Sequence, residues 1–289
     1  MISISIVIAT YNSAKTLKQT LDSIRYQTYK NLEVIIVDGL SNDGTMNIVR
    51  EYSDTVKKCI SERDTGIYNA FNKGIDLATG DYTCFIGSDD CYYNYTVFDT
   101  IVKKMSNFED AYSFGVVGIN GSTLLENHYK IKCTNEEIFS GNMIPHPGLL
   151  FKTDILKKYK FNESNKIISD YEFLLRYIID GGKIQFYDIP LVYFSEDGIS
   201  SSNIGSENWI NRLTEHISLL NRFGLQKYAK NHIDLFFPIT QLDSISYHFR
   251  CIQKIIRSKF GISDSYKKYF KFWKRHHCNL KKCRWCGRN

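Results

Sequence analysis

The sequence predicts an α/β protein: a mostly parallel sheet with helices on both faces, followed by a helical, basic C-terminal region. Three observations predict it. Through the first hundred residues, apolar runs of strand length alternate with stretches of helical spacing. The run "LEVIIVD" (Leu32 to Asp38) is nearly all apolar, as in a strand covered on both faces of a parallel sheet. The charge is also divided: residues 227 to 289 hold 15 Lys and Arg against 3 Asp and Glu, so that segment is +12 in a chain of net +6.

The elements follow in order. "ISISIVIA" (Ile2 to Ala9) reads as a strand. "SAKTLKQTLDSIRYQ" (Ser13 to Gln27) spaces Leu17, Leu21 and Ile24 as on one helix face, with Ser13 as N-cap. Leu32 to Asp38 is the second strand. "SNDGT" (Ser41 to Thr45) is turn chemistry leading into a short helix. "KKCIS" (Lys57 to Ser61) reads as a third strand. "GIYNAFNKGIDLATG" (Gly66 to Gly80) reads as a helix stopped by glycine. "DYTCFIG" (Asp81 to Gly87) is the fourth strand, and a helix is expected near Tyr95 to Met105.

The second hundred is mixed. "YSFGVVGI" and "YKIKC" read as strands, and "NMIPHPGLLF" (Asn142 to Phe151) as a loop running into a strand, extended by its prolines. "SDYEFLLRYIIDGG" (Ser169 to Gly182) has a polar start, an apolar stripe and a Gly-Gly stop, and so predicts a helix. "KIQFYDIPLVYF" (Lys183 to Phe194) predicts one or two strands broken at Pro190. Beyond Gly205 the pattern is helical, aromatic and basic.

A chain of 289 residues can bury one large core, or one core and a small subdomain. Its 43% hydrophobic and 24% charged residues are ordinary for a soluble globular protein. The longest apolar stretch, Ile4 to Ala9, is too short to span a bilayer. Neither a basic leader nor a cleavage pattern is seen at the N-terminus. The expectation is a cytoplasmic protein whose eight cysteines are mostly reduced.

Parallel sheets bind ligands at the carboxyl ends of their strands. Thr10, Tyr11 and Asn12 follow the first strand, Asp38 ends the second, and "SDD" (Ser88 to Asp90) follows the fourth. Two adjacent carboxylates at the end of an apolar run need a positive partner. Hard oxygen ligands suit Mg²⁺ or Mn²⁺, with the remaining positions filled by water and substrate phosphates. The plainer reading makes Asp90 a helix cap. Asp38 reads as a turn-former or as a partner for a base or ribose, and Tyr11 as a surface aromatic or a stacking face for a nucleobase. No Gly-x-Gly-x-x-Gly and no Walker-type Gly-Lys-Ser/Thr is present, which counts against dinucleotide and P-loop enzymes.

The stretches "SIVIATYNSAKTLKQTLDSIRYQTYKNLEVIIVDGLSNDGT" and "SERDTGIYNAFNKGIDLATGDYTCFIGSDD" resemble the nucleotide-binding half of family 2 glycosyltransferases. These are inverting sugar transferases with the GT-A fold, a Rossmann-like arrangement. The resemblance is close over Ile2 to Ile101 and looser to about Ser202. It implies a GT-A domain over residues 1–204, with a nucleotide-sugar-binding half at 1–101 and an acceptor-binding half at 102–204. Residues 205–289 form the helical, basic extension.

Carried over position by position, the resemblance implies that Thr10, Tyr11 and Asn12 line a uracil pocket and Asp38 binds the base. Arg63 and Asp64 face the nucleotide crevice, with Asn72 and Lys73 on the next helix. Ser88-Asp89-Asp90 stands where the family has Asp-x-Asp, with Ser88 replacing the first acid. Asp90 would then bind Mn²⁺ or Mg²⁺, and Asp89 the ribose or sugar.

Inverting transfer needs a carboxylate base. "ISDYEFLLR" resembles the segment that bears it, which implies Asp170, with Glu172 second. From the residues alone, Asp170 is a good helix cap and Glu172 pairs with Arg176. His146 of "PHPG" would lie on the acceptor or diphosphate side, and "EDGIS" (Glu196 to Ser200) near the phosphates.

The implied donor is a UDP-sugar, and the implied acceptor a sugar on undecaprenyl diphosphate, in bacterial surface polysaccharide biosynthesis of the O-antigen or lipopolysaccharide kind. The basic, aromatic tail reads as a surface helix on anionic lipid, or as a solvated helix packed on the body. This places the protein peripherally on the inner face of the plasma membrane, with no nucleic acid partner. Cys278, Cys283 and Cys286 beside His276 and His277 carry zinc-type ligands at non-standard spacing. The sugar, the linkage and the oligomeric state are left open. The rival is a catalytically idle nucleotide-sugar or nucleic-acid binding module.

Overall fold

The computed structural model describes residues 1–105, 109–119, 126–128, 132–195 and 207–228. Four parallel strands build the first half: β1 (Ile4–Thr10), β2 (Leu32–Asp38), β3 (Val56–Ser61) and β4 (Tyr82–Phe85). Between them run α1 (Leu17–Arg25), α2 (Thr45–Glu51) and α3 (Ile67–Leu77). Then come β5 (Cys91–Tyr92), α4 (Val97–Val102), β6 (Ala111–Ile119) and β7 (Glu126–His128). The second half continues with α5 (Asn135–Phe139), a 3-10 turn (His146–Gly148), β8 (Leu149–Lys152), α6 (Thr153–Tyr159), α7 (Ser169–Ile179), β9 (Gln185–Ser195) and α8 (Glu207–Arg222).

The sheet runs β3-β2-β1-β4-β8-β6-β9-β5, with β7 on β6. Its β3-β2-β1-β4 part is parallel, β8 joins antiparallel to both β4 and β6, and β6 and β9 are parallel. The thread from β1 to β4 aligns Thr10 with Asp38 and Val7 with Phe85 at the carboxyl ends.

Alternation along β1 divides the core. Ile4, Ile6 and Ile8 pack with Leu17, Leu21 and Ile24 of α1 and Phe98 and Ile101 of α4. Val7 faces the other layer with Tyr68, Phe71 and Ile75 of α3, Phe151 of β8 and Phe173 and Leu174 of α7. A Cβ on Gly74 would lie 2.3 Å from Val7 Cγ1, so this glycine lets α3 sit directly on β1. Leu219 and Leu220 of α8 belong to the same layer as α3 and α7.

Several expectations are corrected. Ser13 does not cap α1; its carbonyl accepts from Thr16 and Leu17, making a turn that delays the helix to Leu17. The helix after Gly66 stops at Leu77, because Ala78 is extended, before Gly80 is reached. Pro190 does not break its strand. β9 is continuous, and the register to β6 shifts where Gly115 faces Pro190. Asp170 is not a cap, since Ile168 holds that place and Asp170 is the second residue of α7. Helices α5 and α6 were not anticipated.

Residues 129–131 of the expected strand Tyr129 to Cys133 lie outside the described residues. So do the Glu196 to Ser200 loop, the basic segment from residue 229 on, and Cys278, Cys283 and Cys286 with His276 and His277. Among the described residues, no helix is long and apolar enough to cross a membrane.

Candidate active site

At the carboxyl ends of β1 and β2, Asp38 is fully buried and takes four hydrogen bonds. Thr10 Oγ1 (3.0 Å) and Ser41 Oγ (2.5 Å) donate to Oδ1; Ser61 Oγ (2.7 Å) and the Ser41 amide (3.0 Å) donate to Oδ2. Burial pushes this carboxyl up, but the hydroxyls of Ser41 and Ser61, the Ser41 amide and Thr10 together hold it below its ordinary range. Asp38 therefore ties the two strand ends and the 41 and 61 loops together.

Above it, Tyr11 stands 69% exposed, and a Cβ on Gly39 would lie 3.3 Å from the Tyr11 ring and 2.7 Å from Asp64 Oδ2. Glycine here lets the Asp64 carboxylate and the Tyr11 ring share one recess. Leu40, at φ 63° and half-exposed, and Asn12, at φ 51°, both hold left-handed backbone beside it. Asn12 donates its amide to Ser41 Oγ (2.8 Å), and its Oδ1 accepts from the Asn42 amide (3.0 Å). An exposed aromatic face, a carboxylate and strained turns suit a flat, hydrogen-bonding ring such as a nucleobase.

The acid pair lies past β4. Asp90 is 2% exposed; the Gly87 amide donates to its Oδ2 (2.9 Å) and the Ser195 amide to its Oδ1 (2.8 Å). Burial pushes its carboxyl up to about 6, the charge of Asp89 adds to this, and the Ser195 and Gly87 amides work against it. Asp89 is exposed. A Cβ on Gly87 would meet Asp90 Oδ2 at 2.7 Å and Asp89 Oδ1 at 2.8 Å. Only glycine keeps the space between these two hard oxygens open. Ser88 Oγ is bonded to Ser13 Oγ at 2.8 Å, holding the acid turn to the end of β1. Among the described residues, no three His, Cys, Asp or Glu close into a cage. Two adjacent carboxylates past the end of β4, one buried and one exposed, are a donor set that fits Mg²⁺ or Mn²⁺ shared with phosphates.

A second cluster joins the halves. Asp170 Oδ2 lies 3.5 Å from His146 Nδ1, and Asp170 Oδ1 is 2.9 Å from the Tyr68 hydroxyl on α3. A charge on His146 is the smallest of the influences on the Asp90 carboxyl and opposes the effect of its burial. A Cβ on Gly148 would fall 2.6 Å from the Phe114 carbonyl, so glycine seats the His146 turn against β6. On α8, Glu215 accepts from the amides of Lys166 (2.8 Å), Ile167 (3.0 Å) and Ile168 (3.1 Å), fixing the segment that starts α7.

The pattern described as "Glycosyl transferase family 2" matches residues 5–173, spanning every residue of both clusters except Ser195 and Glu215. The chain belongs to glycosyl transferase family 2. It is 32% identical over 240 residues to an uncharacterized glycosyltransferase of Methanocaldococcus jannaschii, covering 79% of this chain and 80% of that one. It is 42% identical over 113 residues to the amylovoran biosynthesis glycosyltransferase AmsB of Erwinia amylovora, covering 37% of this chain and 36% of that one. Staphylococcus aureus TarS, solved in complex with UDP-GlcNAc, has the same fold (TM-score 0.64, 20% identity, 85% of this chain and 75% of that one). The fold is of the GT-A type, and the family makes this chain a glycosyltransferase.

The glycosyltransferase does not gather every anticipated residue. Asn72 pairs with the backbone of Phe161 on both sides of its amide and with Glu163, stapling α3 to the loop before α7. Lys73 bridges Glu62 (2.8 Å) and donates to the Arg63 carbonyl (3.1 Å); Arg63 itself is exposed. Glu172 is buried, taking hydrogen bonds from Asn162 (2.8 Å), Asn165 and Arg222 (2.5 Å). Contributors not anticipated from the sequence include Gly39, Ser41, Ser61, Tyr68, Ser195 and Glu215. Of these, Gly39, Ser41, Ser61 and Tyr68 carried a signal, lying within the two stretches that resemble the family.

Proposed function

We propose that this glycosyltransferase moves a hexose or N-acetylhexosamine from a UDP-sugar to a sugar acceptor, with inversion, in building a bacterial surface polysaccharide. The observation that carries this reading is the contact of His146 Nδ1 with Asp170 Oδ2 at 3.5 Å, in a fold whose acid turn Asp89–Asp90 follows β4. The carboxylate pair past β4 is suited to a diphosphate-bound cation, and the carboxylate beside the imidazole is suited to a base.

In this reading the Tyr11 ring stacks on the uracil and Asp64 accepts from its imide N–H. Thr10, Asn12 and Asp38 shape the recess floor. Asp90 would hold Mn²⁺ or Mg²⁺, and Asp89 would reach the ribose or sugar. A cation held there would neutralise charge on the leaving diphosphate. Ser88 keeps the acid turn against Ser13. Asp170 takes the proton from the acceptor hydroxyl as that oxygen bonds the anomeric carbon and the UDP oxygen departs with the bonding pair. His146 sits on the acceptor side, where it steadies the carboxylate and faces the diphosphate. Lys73 holds the Arg63 loop, so that the guanidinium can reach the phosphates. Asn72 supports the same helix from behind. Glu172 is less available than Asp170 to meet an acceptor, because Asn162, Asn165 and Arg222 already occupy its buried carboxylate.

A lipid-diphosphate-linked acceptor, and contact of the basic tail with the inner face of the plasma membrane, complete the reading. The charge of +12 over residues 227–289 supports both. UDP release from a panel of UDP-sugars, with Mn²⁺ or Mg²⁺ and then EDTA, tests it on a lipid-diphosphate-sugar acceptor. Metal-dependent release with one sugar fits. Absence of both release and calorimetric UDP binding contradicts it.

A further inference from the structure

Tyr68 is 7% exposed, and its ring packs against Phe161 (5.5 Å between centroids) and Phe71 (6.2 Å). Its hydroxyl faces two acceptors, the Ile167 carbonyl at 2.8 Å and Asp170 Oδ1 at 2.9 Å. A phenol carries one hydrogen, so it satisfies one of these acceptors fully at a time. Both acceptors are fixed independently of it. The Ile167 segment is pinned by Glu215, and Asp170 lies in the first turn of α7 with His146 on its other oxygen.

We infer that Tyr68 is a positioning residue for Asp170: its hydrogen points to Oδ1 while the carboxylate is charged and swings to the Ile167 carbonyl once Asp170 has taken the acceptor's proton. The inference rests on the reading of Asp170 as base. The proton balance is simple. The acceptor O–H breaks, its proton bonds Asp170 Oδ2, and the Tyr68 proton stays on Tyr68 throughout, changing only its direction. A neutral carboxyl is a weaker acceptor than a carboxylate, so the second acceptor becomes competitive only after transfer. The charged state is thus ordered before the reaction, and the neutral state leaves no donor stranded.

The titratable groups around this hydroxyl come from three other elements: Asp170 on α7, His146 in the 3-10 turn before β8, and Glu215 on α8. Burial first, and then the charge of Asp170, hold the phenol well above its usual range, so Tyr68 keeps its proton at working pH.

The direct test reads Asp170 itself, by carbon-13 NMR of carboxyl-labelled aspartate in the full chain, with its resonance assigned by loss in Asp170→Asn. In Tyr68→Phe the titration midpoint is expected to rise above that of the wild type, because a donor to the charged form is gone. An unmoved midpoint overturns the inference. Turnover is read with UDP-N-acetylglucosamine and a soluble lipid-diphosphate-linked N-acetylglucosamine as probes. Tyr68→Phe should lower kcat roughly tenfold with the donor KM unchanged. A change in KM or thermal midpoint alone, with kcat and the pH midpoint as in the wild type, makes Tyr68 a packing residue.

If Tyr68→Phe does not fold, 2,3-difluorotyrosine at position 68 keeps ring and hydroxyl while strengthening the donor. The midpoint should then fall, and an unmoved one again overturns the inference. Undiminished turnover in Asp170→Asn would remove the base reading, whereas a dead Asp170→Asn with an unmoved midpoint in Tyr68→Phe would remove this inference alone.

Discussion

His146 Nδ1 lies 3.5 Å from Asp170 Oδ2, joining the turn before β8 to the first turn of α7. The two residues are 24 apart in sequence, and neither is informative alone. Together they join two elements of the second half, and a charge on the same imidazole also acts weakly on Asp90. His146→Ala should lower kcat by about ten- to a hundredfold, with UDP affinity and thermal stability close to wild type. Steady-state kinetics beside calorimetric UDP titration checks this.

Gly39 is where the nucleotide side is most sensitive. Any Cβ there meets Asp64 Oδ2 at 2.7 Å and the Tyr11 ring at 3.3 Å. Gly39→Val should weaken UDP binding at least tenfold while the chain still folds, because the side chain fills a surface recess and leaves the core untouched. Calorimetric affinity beside circular dichroism separates the two effects.

Arg222 should matter for stability and not for chemistry. Its guanidinium satisfies Glu172, whose side chain is 3% exposed. Arg222→Met leaves that charge with fewer partners and should cost about 2 kcal/mol, seen as a lower urea midpoint. A midpoint equal to wild type would mean that Asn162 and Asn165 suffice.

Glu33 predicts an acid limb. Burial pushes its carboxyl up, but hydrogen bonds from Lys58, Ser5 and Thr79 outweigh this and hold it at about 2, against 4.5 unfolded. The folded value lies below the unfolded one. The stabilisation is therefore complete above pH 4.5 and is lost as pH falls towards 2. It amounts to no more than about 3 kcal/mol. Glu33→Gln should flatten the stability profile in that window, as read by urea unfolding at stepped pH.

What could be read in the sequence was what is local. β2 follows from its apolar run, and the acid pair from its place after β4. Tyr68 could not be assigned from spacing, because on α3 it belongs to the same apolar stripe as Phe71 and Ile75; its hydroxyl meets Asp170 102 positions away. The four donors to Asp38 come from Thr10, Ser41 and Ser61, and these could not be read from the sequence because only the folded strand ends bring them together. Glu172 and Arg176 do pair at helical spacing, at 3.9 Å, but the closer partner is Arg222 on α8, at 2.5 Å from Glu172 and 50 positions away. Ser13 had the chemistry of a cap but lies in a turn, its hydroxyl already spent on Ser88.

The measurement that bears most directly on the central claim is UDP release by Asp170→Asn beside wild type, with Mn²⁺, a UDP-sugar that the wild type uses and a lipid-diphosphate-sugar acceptor. Release should fall by at least a hundredfold while Mn²⁺-dependent UDP binding stays as in the wild type, because the base is lost and the donor site is not. Release at the wild-type rate would contradict the claim and move the base elsewhere in the crevice.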